Sequence, residues 1–182
     1  MEVVFVRHPQ TVANQSRIFC SESDYPYTER GLVELGNMIK ELHELDYAVY
    51  TSPYERALKV AQLIKNQPII DQRIKEIDFG IFKGLSVDEV ADGYPEDFEK
   101  FKTQVNDYIF PKGESYKKFA DRISEFFDEI IQHGEDVIIV THAGVINYLL
   151  QKYFKIKKYW PKTGSIIKLK ISIEEEHYEV NN

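Results

Sequence analysis

"VVFVRHPQT", residues 3–11, runs through four apolar residues and then sets Arg7 against His8, a strong cation beside an adaptable proton carrier. The apolar part reads as a buried strand that stops abruptly at Arg7. Further apolar runs at 47–50, 137–140 and 166–171 alternate with longer stretches of helical period, which predicts an α/β architecture.

The helical stretches carry their own signals. Thr28 caps a helix whose Leu32, Leu35, Ile39, Leu42 and Leu45 recur at steps of three and four, giving one buried stripe. In "SPYERALKVAQLI", Ser52 reads as an N-cap with Glu55 completing a capping box, Pro53 at the first helical position, and Ala57, Val60, Ala61 and Ile64 inward. Ser115 opens a helix with Phe119, Ile123, Phe126, Phe127 and Ile130 on its apolar face, and another spans about 145–154. Residues 86–110 differ: the capping box of "SVDEV" leads into "DGYPEDFEKFKTQ", charged, aromatic and interrupted by Gly93 and Pro95. This stretch reads as a helical lid inserted over one edge of the sheet or, equally, as an ordinary peripheral helical pair.

Composition sets the chemical limits. The 182 residues, 43% apolar and 13% aromatic, suit one domain with a full core. A formal charge of -7 argues against a broad footprint for nucleic acid or an anionic membrane, so an anion has to be bound locally. The one cysteine, Cys20, excludes an internal disulfide and thiolate-rich zinc sites and fits a reducing cytoplasm. "MEVVFVRH" lacks the layout of a secretory signal, and no apolar run approaches a membrane span, so a soluble cytoplasmic protein is expected.

The polar residues fall in one kind of place. Arg7 and His8 follow the first strand, Arg56 lies in the first turn of the helix after the second, and His142 of "THAG" follows the third. If those strands are neighbours, two arginines and two histidines converge at the carboxyl edge of the sheet, where open α/β sheets bind ligands. Forked guanidiniums and helix N-terminal amides suit a phosphoryl group. Beside Arg7, His8 is biased towards its neutral, nucleophilic form. Glu76, in the glycine-punctuated "RIKEIDFGIFKG", is a candidate proton donor for a departing alcohol. Taken singly, each of these residues has an ordinary structural explanation. His43, His133 and His177 read as surface residues.

Together these residues carry a resemblance. The chain resembles the histidine phosphatase superfamily, or phosphoglycerate mutase-like proteins, in "RHPQTVAN", "DYPYTERG", "TSPYERALKVA", "KEIDFGIFKG", "PKGES" and "VIIVTHAGVI", in the family's order and across nearly the whole chain. The resemblance implies a three-layer α/β/α sandwich around a mostly parallel sheet, in a single domain over 1–182 within which 86–110 is the helical lid insertion or the peripheral helical pair. It implies His8 as the phosphorylated nucleophile and Glu76 as the proton donor. Arg7, Arg56, His142 and Asn14 become phosphate contacts, and Cys20, Ser21 and Ala143 join the expected phosphate or substrate contacts. No metal or other cofactor is required. Three departures stand out: Pro9 in place of a glycine, which removes an amide hydrogen, Gln10 in place of an acid, and Lys83 in place of a glutamate.

Three functions fit: a phosphomonoesterase, a mutase moving phosphate within a sugar acid, and a phosphate-binding module without catalysis. Intact His8 and Glu76 argue against the last, and a chain short beside the mutases argues for hydrolysis of a small phosphorylated metabolite. The stretch from Glu76 to Ser115 resembles bacterial α-ribazole phosphatases of cobalamin synthesis, which favours a nucleoside-like monophosphate. Phe79, Phe82, Tyr94, Phe98, Phe101 and Tyr108 are candidates to stack on a flat base, although aromatics at such spacings more often form core.

Overall fold

The computed structural model describes residues 1–105, 107–157 and 159–171 and the backbone of 178–179. Its elements are β1 (Glu2–Arg7), α1 (Val12–Gln15), α2 (Glu29–Leu42), β2 (Ala48–Thr51), α3 (Glu55–Ile64), β3 (Ile69–Ile70), α4 (Val87–Gly93), α5 (Pro95–Thr103), α6 (Tyr116–His133), β4 (Val137–Thr141), α7 (Ala143–Tyr153), β5 (Ile166–Ile171) and β6 (Tyr178–Glu179). The sheet order is β3-β2-β4-β1-β5-β6. From β3 to β1 the pairings are parallel, and β5 and β6 add antiparallel partners.

The unbroken apolar run of β1 has a direct cause: alternate side chains enter two cores. Val4 and Val6 join Val49, Ile138 and Val140 under Met38 and Leu42 of α2 and Ala57, Val60 and Ala61 of α3. Val3 and Phe5 join Val137 and Ile139 under α6, α7 and the segment after β3. The result is the expected three-layer α/β/α sandwich. In β5, Leu169 and Ile171 are buried while Lys168 and Lys170 face outward, the alternation of a strand covered on one face.

Several local expectations change. Leu35, Leu42 and Leu45 face the core as expected, but Leu32 is 58% exposed and Gly31 and Met38 are the buried positions beside them. Ser52 does not cap α3, which starts at Glu55 after Tyr54 with no side-chain cap bond, so Pro53 also lies outside the helix. Helix α7 starts at Ala143, two residues earlier than expected. The Thr28, Ser86 and Ser115 caps form as read, with Glu89 completing the capping box of α4.

The 86–110 stretch forms α4 and α5, and its aromatics build core. Phe110 lies 5.3 Å from Phe79, 5.2 Å from Phe101 and 5.0 Å from Tyr108 between ring centroids, and Phe82 is fully buried. Phe98 packs on the same cluster, and Tyr94, partly exposed, packs on Phe82. Of the six rings considered for base stacking, Phe82 and Tyr108 are buried, Phe79, Phe98 and Phe101 are half-buried and Tyr94 is exposed, so packing removes the first two. His43 and His133 are exposed; His177 lies outside the described residues.

Candidate active site

The order β2-β4-β1 makes the strands neighbours, so the residues after their carboxyl ends meet. The rings of His8 and His142 lie 5.3 Å apart, the Tyr54 ring is 5.3 Å from His142, and the Arg56 guanidinium sits 4.9 Å over Tyr54. His8 and Arg56 are 3% and 4% exposed.

The backbone of His8 is pinned to two neighbouring segments. Its N–H donates to Thr141 O at 3.2 Å, and its carbonyl accepts from Gly164 N at 3.2 Å. Its ring Nδ1 lies 2.8 Å from the Pro9 carbonyl. A carbonyl only accepts, so the ring hydrogen belongs on Nδ1 and the lone pair is left on Nε2. Burial holds the His8 pKa well below its ordinary value, with Arg56 and then Arg7 adding to the effect. Burial does the same at His142, helped by Arg56 and by His8. Both imidazoles are neutral at pH 7.

Two buried side-chain nitrogens among the described residues have no hydrogen-bond partner, Arg7 Nε and His142 Nδ1, and both belong to this site. Arg7 donates through Nη1 to the Pro161 carbonyl at 2.7 Å. His142 Nε2 lies 2.7 Å from Ser52 Oγ, which accepts the Tyr54 N–H at 3.3 Å. With the Ser52 hydrogen given to Nε2, the His142 ring hydrogen sits on the unpartnered Nδ1 as a donor. Unpaired buried donors are costly in isolation and fit an anion that supplies several acceptor oxygens.

Glu76 reaches the site from the segment after β3. Its Oε2 accepts the Gly144 N–H at 3.2 Å, its Oε1 accepts the Ile77 N–H at 3.1 Å, and its charge partly offsets the lowering of the Arg7 pKa by burial. The carboxylate is thus fixed two residues from His142, beside the first turn of α7.

The remaining candidates divide. Asn14 is half-buried; its Oδ1 accepts from the Thr11 N–H and hydroxyl at 3.0 Å each, which leaves Nδ2 as its donor. Ala143 is buried at the start of α7. Cys20 and Ser21 act through their backbone: their carbonyls accept from Arg56 Nη2 at 3.4 Å and Nη1 at 2.8 Å. The Cys20 thiol, its pKa raised by burial, donates to Ser23 O. The Ser21 hydroxyl donates to Ile77 O at 2.8 Å, accepts from Phe79 N at 3.0 Å and is fully buried, so a direct phosphate contact from it gives way to a structural strut. Pro9 supplies the carbonyl that sets the His8 tautomer. Gln10 Oε1 accepts from Thr28 Oγ1, and Lys83 bridges Glu22 and Asp78.

Sequence reasoning missed Ser52, whose hydroxyl orients His142 across 90 residues. It also missed Arg122, whose guanidinium grips the carbonyls of Arg73, Lys75 and Glu76. Neither contact leaves a local signal. Ser52 mimics a cap, and Arg122 sits in an ordinary amphipathic helix.

Comparison with known proteins extends the geometry. The model of the histidine phosphatase superfamily (branch 1) matches residues 3–178. Over 151 residues the chain is 30% identical to phosphoserine phosphatase 1 of Hydrogenobacter thermophilus, spanning 79% of this chain and 71% of that one. Over 159 residues it is 27% identical to the adenosylcobalamin/alpha-ribazole phosphatase of Escherichia coli, spanning 84% and 78%. The crystal structure of the alpha-ribazole phosphatase from Shigella flexneri shares the fold, with a TM-score of 0.87 at 20% identity over 100% of this chain and 95% of that one.

Proposed function

The chain belongs to the histidine phosphatase superfamily (branch 1), and from that premise we propose that it is a metal-independent phosphomonoesterase working through a phosphohistidine at His8. The observation that carries the proposal is the His8 ring: Nδ1–H is tied to the Pro9 carbonyl, which leaves a buried, unprotonated Nε2 beside Arg7 and Arg56. In the first half-reaction Nε2 attacks phosphorus, the bond to the ester oxygen breaks, and Glu76 gives that oxygen its proton. In the second, water attacks the phosphohistidine, Glu76 takes the proton, and inorganic phosphate leaves as the N–P bond breaks. Arg7, Arg56, His142 Nδ1 and Asn14 Nδ2 are the donors for the phosphoryl oxygens, whose charge is spread most widely in the transition state. Residues 1–182 act as one catalytic unit, with α4 and α5 as the lid over the sheet edge.

The substrate is a small phosphorylated metabolite. Two relatives point to phosphoserine and to an α-ribazole 5'-phosphate of cobalamin synthesis. The resemblance of 76–115 favours the second. Of the rings considered for stacking on a base, Phe82 and Tyr108 are taken up by the core, which leaves Phe79, Tyr94, Phe98 and Phe101 as the candidates. The test is phosphate release over a metabolite panel containing both compounds, with 3-phosphoglycerate plus a bisphosphate primer as a further arm. Release from α-ribazole 5'-phosphate above the rest supports the finer reading, and a preference for phosphoserine replaces it. Isomerisation without net release identifies a mutase, and no turnover anywhere in the panel overturns the catalytic reading.

A further inference from the structure

The "PKGES" segment, 111–115, matches the family motif but contributes no group to the phosphate-facing set, and Arg122 belongs to no motif at all. The structure joins them. Arg122 Nε and Nη2 donate to the two carboxylate oxygens of Glu114 at 2.8 and 2.9 Å. Nη1 donates to the carbonyls of Arg73 at 2.5 Å and Lys75 at 2.8 Å, and Nη2 also reaches Glu76 O at 3.4 Å. All five guanidinium hydrogens are engaged, a set that no other side chain supplies.

Glu114 closes the arrangement on the far side of the proton donor. Its N–H donates to Asp78 O at 3.0 Å, and its Oε2 accepts from Asp78 N at 3.4 Å. The approach depends on Gly113, where a β-carbon would press within 3 Å of the Asp78 carbonyl and the Gly80 backbone. The backbone of Glu76 is therefore held on one flank by Arg122 at 73, 75 and 76, and on the other by Glu114 at 78. As a stabilising device a mostly buried ion pair is inefficient, because desolvation offsets much of the attraction. It does fix geometry, since a bidentate fork tolerates little displacement.

We propose that Arg122 and Glu114 are positioning residues for proton transfer: their brace sets where the Glu76 carboxylate stands relative to the leaving oxygen. The inference rests on the assignment of Glu76 as proton donor. A general acid matters in proportion to the basicity of its leaving group, so the brace matters little for p-nitrophenolate and much for an alkoxide. A role confined to stability slows both esters alike.

The experiment measures kcat/KM, which reports the phosphorylation step, over aryl and alkyl phosphomonoesters of rising leaving-group pKa. The full-length variants are Arg122→Lys, Arg122→Gln and Glu114→Gln, with Glu76→Gln in parallel. For the brace variants the alkyl esters should slow by roughly 10–100-fold, against about threefold or less for p-nitrophenyl phosphate. Arg122→Lys should not rescue, because an ammonium keeps the charge and loses the fork. Equal losses across the series, or none, overturn the inference. If Arg122→Gln does not fold, Glu114→Gln, which keeps the side-chain shape, decides by the same criterion. If Glu76→Gln itself shows no dependence on the leaving group, the assignment of the proton donor has failed; if it does and the brace variants do not, only the brace has failed.

Discussion

Replacing Gly144 with alanine separates the chemistry of the site from its stability. Gly144 lies in the first turn of α7 and donates its N–H to Glu76 Oε2 at 3.2 Å. A β-carbon there would come closer than 3 Å to the Glu76 carboxylate. Restoring van der Waals contact requires the carboxylate to move by about 1 Å, since non-bonded heavy atoms settle near 3.5–4 Å. The carboxylate is the end of a rotatable side chain and can give way, so the fold does not bear the displacement. Within the helix alanine is favoured over glycine by up to about 1 kcal/mol. The melting temperature of Gly144→Ala should therefore hold or rise. A displacement of that size at a proton donor costs on the order of 10²-fold, so kcat/KM for an alkyl phosphate should fall by about that factor while p-nitrophenyl phosphate, which needs no proton, loses far less. Thermal unfolding and steady-state assays on both esters read the two effects apart. Wild-type activity on the alkyl ester in a folded Gly144→Ala protein would refute the claim that this placement of Glu76 controls the rate.

Further outcomes follow from the same geometry. Arg56→Lys keeps a charge but loses the fork that reaches the carbonyls of Cys20, Ser21 and Ser23; kcat/KM should drop by roughly 10²–10³-fold, as for removal of a preorganised anion donor. Because burial lowers the pKa of both His8 and His142, the unfolded chain binds more protons than the native one once the pH falls below about 6.5. Stability should be level above that pH and decline below it by about 1.4 kcal/mol per unit for each histidine; denaturant titrations from pH 8 to 5 that show no decline would contradict neutral burial of the pair. Under the proposed mechanism activity should survive prolonged treatment with EDTA, because there the guanidiniums of Arg7 and Arg56 provide the positive charge that faces the phosphoryl oxygens, and a reversible loss restored by a divalent cation would contradict this.

Much of the fold was legible because its signals are local. The strands at 3–6, 137–140 and 166–171 announce themselves as apolar runs, and α6 carries its cap and five buried apolar positions in sequence. β3 was not legible: two exposed isoleucines on an edge strand have no periodicity to read. The leucines of α2 mark most of its inward stripe, yet the helix turns Met38 inward and leaves Leu32 in solvent, because the sheet and α3 choose the face that packs. At the site, the convergence of Arg7, His8, Arg56 and His142 followed from their positions after strands. Contacts that depend on tertiary approach did not. The Ser52 hydroxyl has the sequence context of a helix cap and instead serves His142, and Ser21 and Cys20 support Arg56 through carbonyls that every residue type possesses.

The most direct measurement of the central claim is rapid-quench trapping of the enzyme during turnover of p-nitrophenyl phosphate, with the phosphorylated residue located by mass spectrometry. A phosphoryl group on His8, labile to acid and stable to base, formed with a burst approaching one equivalent of nitrophenol in Glu76→Gln and absent from His8→Ala, is the predicted result. Steady phosphate release by a folded His8→Ala protein, or a phosphoryl group on any other residue, would contradict it.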